Sequence, residues 1–157
     1  MLVLLPPSSV TSAGIISMFG SFTTRPRDTL PSPSRDVYCD VTGLKRVNDE
    51  EGHSKGDQLI LRACDCLRGT LKEFDLFRIG GDEFVALCRG MEEGELYREV
   101  EELRTELDRK KVTMAVGAAV NTLGAVGFDH LLTEPERRMY QDKAEYYRKS
   151  GLNRRRQ

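Results

Sequence analysis

The spacing of apolar positions changes from segment to segment along this chain, and each spacing predicts a different element. From Met1 to Arg35 the residues are mostly Ser, Thr, Pro and Gly with scattered apolar side chains and no sustained period, so this segment reads as irregular. The pattern changes at Asp36, where Val37-Tyr38-Cys39 form a short apolar run closed by Asp40, the signature of a buried strand. A polar, glycine-containing stretch through Gly56 reads as a loop. Leu59, Ala63, Leu67 and Leu71, with Ile60 and Cys64 alongside, then mark one face of a helix that starts at Asp57, where a carboxylate can cap it. Residues Asp75 to Ile79 and Phe84 to Cys88 are rich in strand formers and are separated by a glycine pair, which predicts a β-hairpin. Leu96, Val100, Leu103 and Leu107 recur at helical spacing among Glu and Arg, giving an amphipathic surface helix. The alternation of Val112, Met114, Val116, Ala118 and Val120 with smaller residues predicts a strand with one heavier face. A last helix is expected from Glu134 to Lys149, with Tyr140, Lys143 and Tyr147 near one stripe.

Strand, helix, hairpin, helix, strand, helix is an α+β order: a central, mainly antiparallel sheet flanked by helices. The expected organisation is an irregular segment over 1–35 and a structured domain over 36–157. A chain of 157 residues suffices for one domain with a substantial core.

Charge narrows the class of partner. With 24 Lys and Arg against 25 Asp and Glu, the net charge of -1 offers no footprint for nucleic acid or an anionic membrane surface. Met1 to Leu5 is apolar but short, lacks a basic flank and runs into Pro6-Pro7, so neither a signal peptide nor a membrane anchor is expected. Cys39, Cys64, Cys66 and Cys88 form no Cys-x-x-Cys pair and sit in apolar stretches, which suits reduced, buried thiols in a cytoplasmic protein.

Candidate chemistry centres on Arg78-Ile79-Gly80-Gly81-Asp82-Glu83-Phe84. Two carboxylates at a tight hairpin turn, beside glycines that let a bulky anion approach, suit a divalent cation handling phosphates. If the strand ending at Asp40 lies next to the hairpin, Asp40 and Asp82 converge on one metal site.

A second pattern accompanies the hairpin. Asp40, Lys45, Asn48-Asp49, Gly52-His53 and Gly56-Asp57 precede it in order, and Met139-Tyr140-x-x-Lys143 follows in the last helix. With these elements the chain, from Asp36 to about Arg155, resembles the GGDEF domain family, the diguanylate cyclases. The resemblance implies a fold similar to the nucleotidyl cyclase, palm-like GGDEF fold. It also implies the condensation of two GTP into cyclic di-GMP with release of pyrophosphate, as second-messenger signalling. By resemblance Asp40, the backbone carbonyl of Val41 and Asp82 are metal ligands, and hard oxygen donors fit Mg²⁺ or Mn²⁺. Asn48 and Asp57 match the guanine-reading pair, a carboxylate being able to accept from the N1-H and N2-H donors that adenine lacks. Lys45 and Lys143 match lysines near the triphosphate. Gly43, Leu44, Gly80 and Gly81 complete the implied substrate-binding set, and Asp82, Glu83 and Lys45 are the implied catalytic residues. Arg78 is expected to brace the hairpin. One domain holds one GTP, so the implied active species is a homodimer, usually governed in this family by a regulatory segment not seen here.

The chain also departs from the family pattern. Met1 to Arg35 contains no Asp-x-Leu-Thr-Gly-Leu-x-Asn-Arg segment, Thr42 stands where many members have a second acid or amide, Pro135-Glu136 replaces Ala-Asp, and Tyr147 stands where an Arg would reach phosphate. No Arg-x-x-Asp precedes the hairpin, so inhibition by product at that site is not expected. These departures support an alternative: a truncated or degenerate domain that binds GTP or a protein partner without turnover.

Overall fold

The computed structural model describes residues 3–4, 33–89, 92–122 and 128–151. Its centre is β2 (Ser34–Val41), antiparallel to both β4 (Glu83–Arg89) and β5 (Met114–Asn121). β3 (Asp75–Arg78) pairs with β4 to form the expected hairpin, and β1 (Val3–Leu4) adds two residues beyond β3, giving the antiparallel order β1-β3-β4-β2-β5. The helices are α1 (Leu44–Glu51), α2 (His53–Thr70), α3 (Glu93–Lys110) and α4 (Phe128–Ser150). The architecture is therefore the α+β one read from the sequence.

Residue parity along β2 sorts its side chains between two cores. Val37, Cys39 and Val41 enter the larger core with Leu59, Ile60, Ala63 and Leu67 of α2 and with Leu96, Val100, Leu103 and Leu107 of α3. Tyr38 faces the other way, into a cluster with Val85 and with Leu131, Leu132 and Met139 of α4. A strand covered on both sides reads as a continuous apolar run, which is why this segment stands out in the sequence. All four cysteines are buried.

On β5 the heavier face, Met114, Val116 and Ala118, meets α2 and α3, while the light face lets α4 close tightly. A Cβ added at Gly117 would fall 2.0 Å from the Pro135 carbonyl oxygen and 2.2 Å from the Met139 nitrogen. The outer edge of β5 is clasped by side chains. Val116 N–H donates to Asp142 Oδ2 (2.8 Å), Val116 C=O accepts from Arg104 (3.2 Å), and Ala118 C=O accepts from Arg138 (2.8 Å).

The structure corrects several boundaries. Strand β2 begins at Ser34 rather than Asp36, and Val3–Leu4 is strand within the segment read as irregular; the rest of that expectation lies outside the described residues. The stretch read as a loop before Gly56 holds α1 and the first turn of α2. Gly43 adopts a left-handed conformation (φ 85°) to start α1, and Gly52 (φ 90°) separates the two helices. Strand β5 starts at Met114, leaving Val112 buried just ahead of it. Helix α4 begins at Phe128 instead of Glu134 and contains Pro135. Its buried stripe is Leu131, Leu132, Pro135, Met139 and Tyr147, and Tyr140 is exposed.

One buried carboxyl sits apart from the candidate site. Asp36 is fully covered, its Oδ1 has no hydrogen-bond partner, and burial lifts its pKa to about 6, against a hydrogen bond from the Ser34 hydroxyl that lowers it. A raised folded-state pKa favours folding at low pH, and that advantage is lost as pH rises through 6. Between pH 4 and pH 7 wild type should lose about 2 kcal/mol relative to Asp36→Asn, by urea denaturation at each pH; parallel curves would refute this. At Gly117, substitution by Ala should cost ~3 kcal/mol, the upper end for overpacking a core. Gly69 of α2, with open space around its Cβ position, should instead gain about 0.5 kcal/mol on substitution by Ala.

Candidate active site

The register of β2 against β4 places Asp40 directly opposite Glu83, at the end of the sheet where the hairpin turns. Val41 N–H donates to the Asp82 carbonyl (2.8 Å), so the pairing extends one step past the ladder and fixes the turn against β2. On the other side Thr42 N–H donates to the Thr113 carbonyl (2.9 Å), and the chain then turns at Gly43 into α1.

The turn is braced from within. Arg78 Nε donates to the Gly80 carbonyl (3.2 Å), its Nη2 donates to the Gly81 carbonyl, and its guanidinium lies 5.9 Å from the centre of the Phe84 ring. Ile79 N–H donates to the Glu83 carbonyl (3.0 Å). Arg78 thus has the bracing role expected of it.

The acids share one field. Burial pushes the Asp40 pKa up and the nearby Asp82 charge adds to this, while Lys143 works against both by hydrogen bond and charge. Glu83 is likewise raised, first by burial and then by Asp82 and Asp40, with the Tyr38 hydroxyl opposing. Lys143, on α4, donates to Asp40 Oδ2 at 2.8 Å, with the carboxylate side chain 6% exposed and the lysine 23%. Burial lowers the Lys143 pKa, but the hydrogen bond and charge of Asp40 outweigh it and hold the ammonium above its ordinary range. Asp40 Oδ1, by contrast, is buried with no hydrogen-bond partner.

Asp40, Val41, Gly80, Gly81, Asp82, Glu83 and Lys143 therefore gather at one end of the sheet. Gly43, Leu44 and Lys45 follow directly, the last two in the first turn of α1, where Lys45 is exposed. Asn48 lies further along α1, and its amide rests against α2 so closely that a Cβ at Gly56 would sit 1.8 Å from Asn48 Oδ1. Asp57, the next residue, is exposed in the second turn of α2 and does not cap it; the residue at the cap is Gly52, without a side-chain bond. The freedom from a capping role leaves the Asp57 carboxylate open to another partner.

Sequence reasoning passed over Tyr38, whose hydroxyl donates to Glu83 Oε1 (3.3 Å). The available signal was parity: Tyr38 is two residues before Asp40 on one strand and so faces the same side.

Residues 32–149 match the family described as diguanylate cyclase, GGDEF domain. The chain belongs to the GGDEF family. It is 29% identical over 97 residues to the diguanylate cyclase DosC of Escherichia coli (strain K12), covering 61% of this chain and 21% of that protein. The chain thus spans about a fifth of the length of that GGDEF relative. The active GGEEF domain of a diguanylate cyclase from Vibrio cholerae superposes with a TM-score of 0.64 at 17% identity, covering 72% of this chain and 78% of that one. The GGDEF domain of DgcB from Caulobacter crescentus, solved in complex with c-di-GMP, gives 0.64 at 21% identity, covering 72% and 73%. These superpositions establish the GGDEF fold. No helix among the described residues is long and apolar enough to cross a membrane.

Removing the Lys143 charge strands a buried carboxylate. Lys143→Met should lower stability at pH 7 by about 3 kcal/mol, the scale for breaking a buried pair, and adding Asp40→Asn should restore most of it. Chemical denaturation of the four members of the cycle checks this, and additive losses would contradict it.

Proposed function

We propose that this domain is a diguanylate cyclase, joining two GTP into cyclic di-GMP with release of pyrophosphate. The observation that carries the reading is the convergence of Asp40, from the central strand, with Asp82 and Glu83 at the hairpin, in a GGDEF domain. The donor set fits a divalent cation. Asp40 Oδ1 is a buried anionic oxygen without a partner, and Asp82 is close enough to raise the Asp40 pKa. No three His, Cys, Asp or Glu side chains among the described residues form a ligand cluster. The holders would be two carboxylates and the Val41 carbonyl, with water and phosphate completing the shell, the arrangement Mg²⁺ favours and Mn²⁺ tolerates. A bound cation would supply charge neutralisation for the phosphates and polarise the attacked phosphorus.

The remaining roles fall to this chain's own residues. Asp57 accepts from the N1-H and N2-H of guanine, and Asn48, set between α1 and α2, hydrogen-bonds the adjoining edge. With adenine the carboxylate would be left without those donors, which selects GTP over ATP. Gly43, Leu44 and the glycine pair Gly80-Gly81 allow phosphates close to the backbone. Lys45 approaches from α1 and Lys143 from α4, each placing a positive charge by the triphosphate. Lys143 is already committed to Asp40, so substrate phosphates compete for an ammonium held in place. Glu83, with its raised pKa, assists at the ribose 3′-hydroxyl that attacks the α-phosphorus of the second GTP. Each domain presents one nucleotide, so turnover requires two domains face to face, which converts an encounter of two substrates into a positioned reaction.

The purified protein with GTP and Mg²⁺ should yield cyclic di-GMP by chromatography. The rate should rise more than linearly with protein concentration, and Asp82→Ala should lower it at least about 100-fold, the scale of losing one electrostatic contact to a transition state. GTP binding with no product at high protein concentration would return the non-catalytic binding module.

A further inference from the structure

Resting on the cyclase reading, we propose that Tyr38 is a positioning residue for Glu83, its hydroxyl clamping one carboxylate oxygen while the other lies over the bare backbone of Gly80. Tyr38 packs its ring into the cluster beneath α4 with Val85 and Met139 and is 6% exposed. A phenylalanine would serve that packing equally. The hydroxyl is the surplus, and it reaches diagonally across the β2–β4 pair: Tyr38 is opposite Val85, yet its oxygen lies 3.3 Å from Glu83 Oε1, two residues along.

The other carboxylate oxygen is confined by the turn. A Cβ at residue 80 would fall 2.7 Å from Glu83 Oε2, so the carboxylate end lies over the bare backbone of Gly80. The backbone of the same turn is tied to Glu83 by the Ile79 and Gly80 amides, at 3.0 and 3.4 Å from its carbonyl. With Oε1 taken by a hydroxyl donor, Oε2 is the oxygen left facing the turn.

The clamp also connects Glu83 to the helix that carries Lys143. Glu136 and Tyr140 of α4 lie near enough to Tyr38 to act on its hydroxyl electrostatically. The tyrosine therefore stands between α4 and the hairpin acid, and its two contacts set the carboxylate plane relative to Asp40 and Asp82.

The test uses Tyr38→Phe, which keeps the ring and removes only the donor. At saturating GTP and Mg²⁺, kcat should fall about 10- to 100-fold, the range for a misplaced reacting group, with KM changed by less than about two-fold. In a Glu83→Gln background the same substitution should cost less than about two-fold, because Tyr38 acts through that side chain. Unchanged kcat, or losses that multiply in full, would overturn the proposal. Carbon-13 NMR supplies a readout independent of turnover: the Glu83 carboxyl resonance, assigned by its disappearance in Glu83→Gln, should move in Tyr38→Phe. Should Tyr38→Phe fail to fold, the Tyr38 Cζ resonance should move in Glu83→Gln instead. Resonances that stay put would refute the clamp. If wild type forms no cyclic di-GMP, the cyclase reading fails by itself and the resonances alone judge the clamp.

Discussion

The register of β2 between β4 and β5 is the constraint on which the rest of this molecule depends. Side chains alternate along a strand, so a slip of one residue would turn Asp40 from the α4 side into the core beneath α2 and α3 and bring an apolar neighbour out in its place. The register is held because both faces of β2 are covered: Val37, Cys39 and Val41 fill one core, Tyr38 the other. Packing of apolar neighbours thus aims the Asp40 carboxylate before any charge acts on it.

Their charge has to be managed by the same packing. Asp40 lies in a central strand at 4% exposure, where an isolated carboxylate is costly. Lys143 offsets this, and it can do so because α4 sits close over β5 and β2, which in turn requires the missing side chain at Gly117. A glycine on an outer strand therefore controls the distance between an ammonium and a carboxylate on other elements. Glu83 is treated differently: it is held by a neutral hydroxyl and remains half-buried, so its charge is tempered by hydrogen bonding more than by pairing.

The parts of this fold governed by periodicity were legible in the sequence. The hairpin, the stripe Leu96, Val100, Leu103 and Leu107, and the strand around Val116 announce themselves by spacing, and the hairpin acids by their setting between glycines. Helix α1 was missed because it carries only Leu44 and Val47 as half-buried apolar residues among lysine, arginine and acids, too few to show a period. The early start of α4 was hidden by Pro135, which reads as a boundary although its ring is accommodated in a buried position against β5. Of the site, the gathering of Asp40 with the hairpin followed from strand order. The Lys143 bond depends on how α4 docks on the sheet, which no linear pattern encodes, and the position of Asp57 within α2 follows from a helix start at His53 that no side-chain cap marks, whereas the side that Tyr38 faces was open to strand parity.

The clasps on the outer edge of β5 bear on how this molecule behaves in a crowd. An outermost strand with open amides and carbonyls is a template on which other chains can stack, the usual route from a folded domain to fibrils or amorphous precipitate. Here Asp142, Arg104 and Arg138 occupy the outward groups of Val116 and Ala118. Side chains from two charged helices thereby leave these positions of the edge without groups on which another strand could pair.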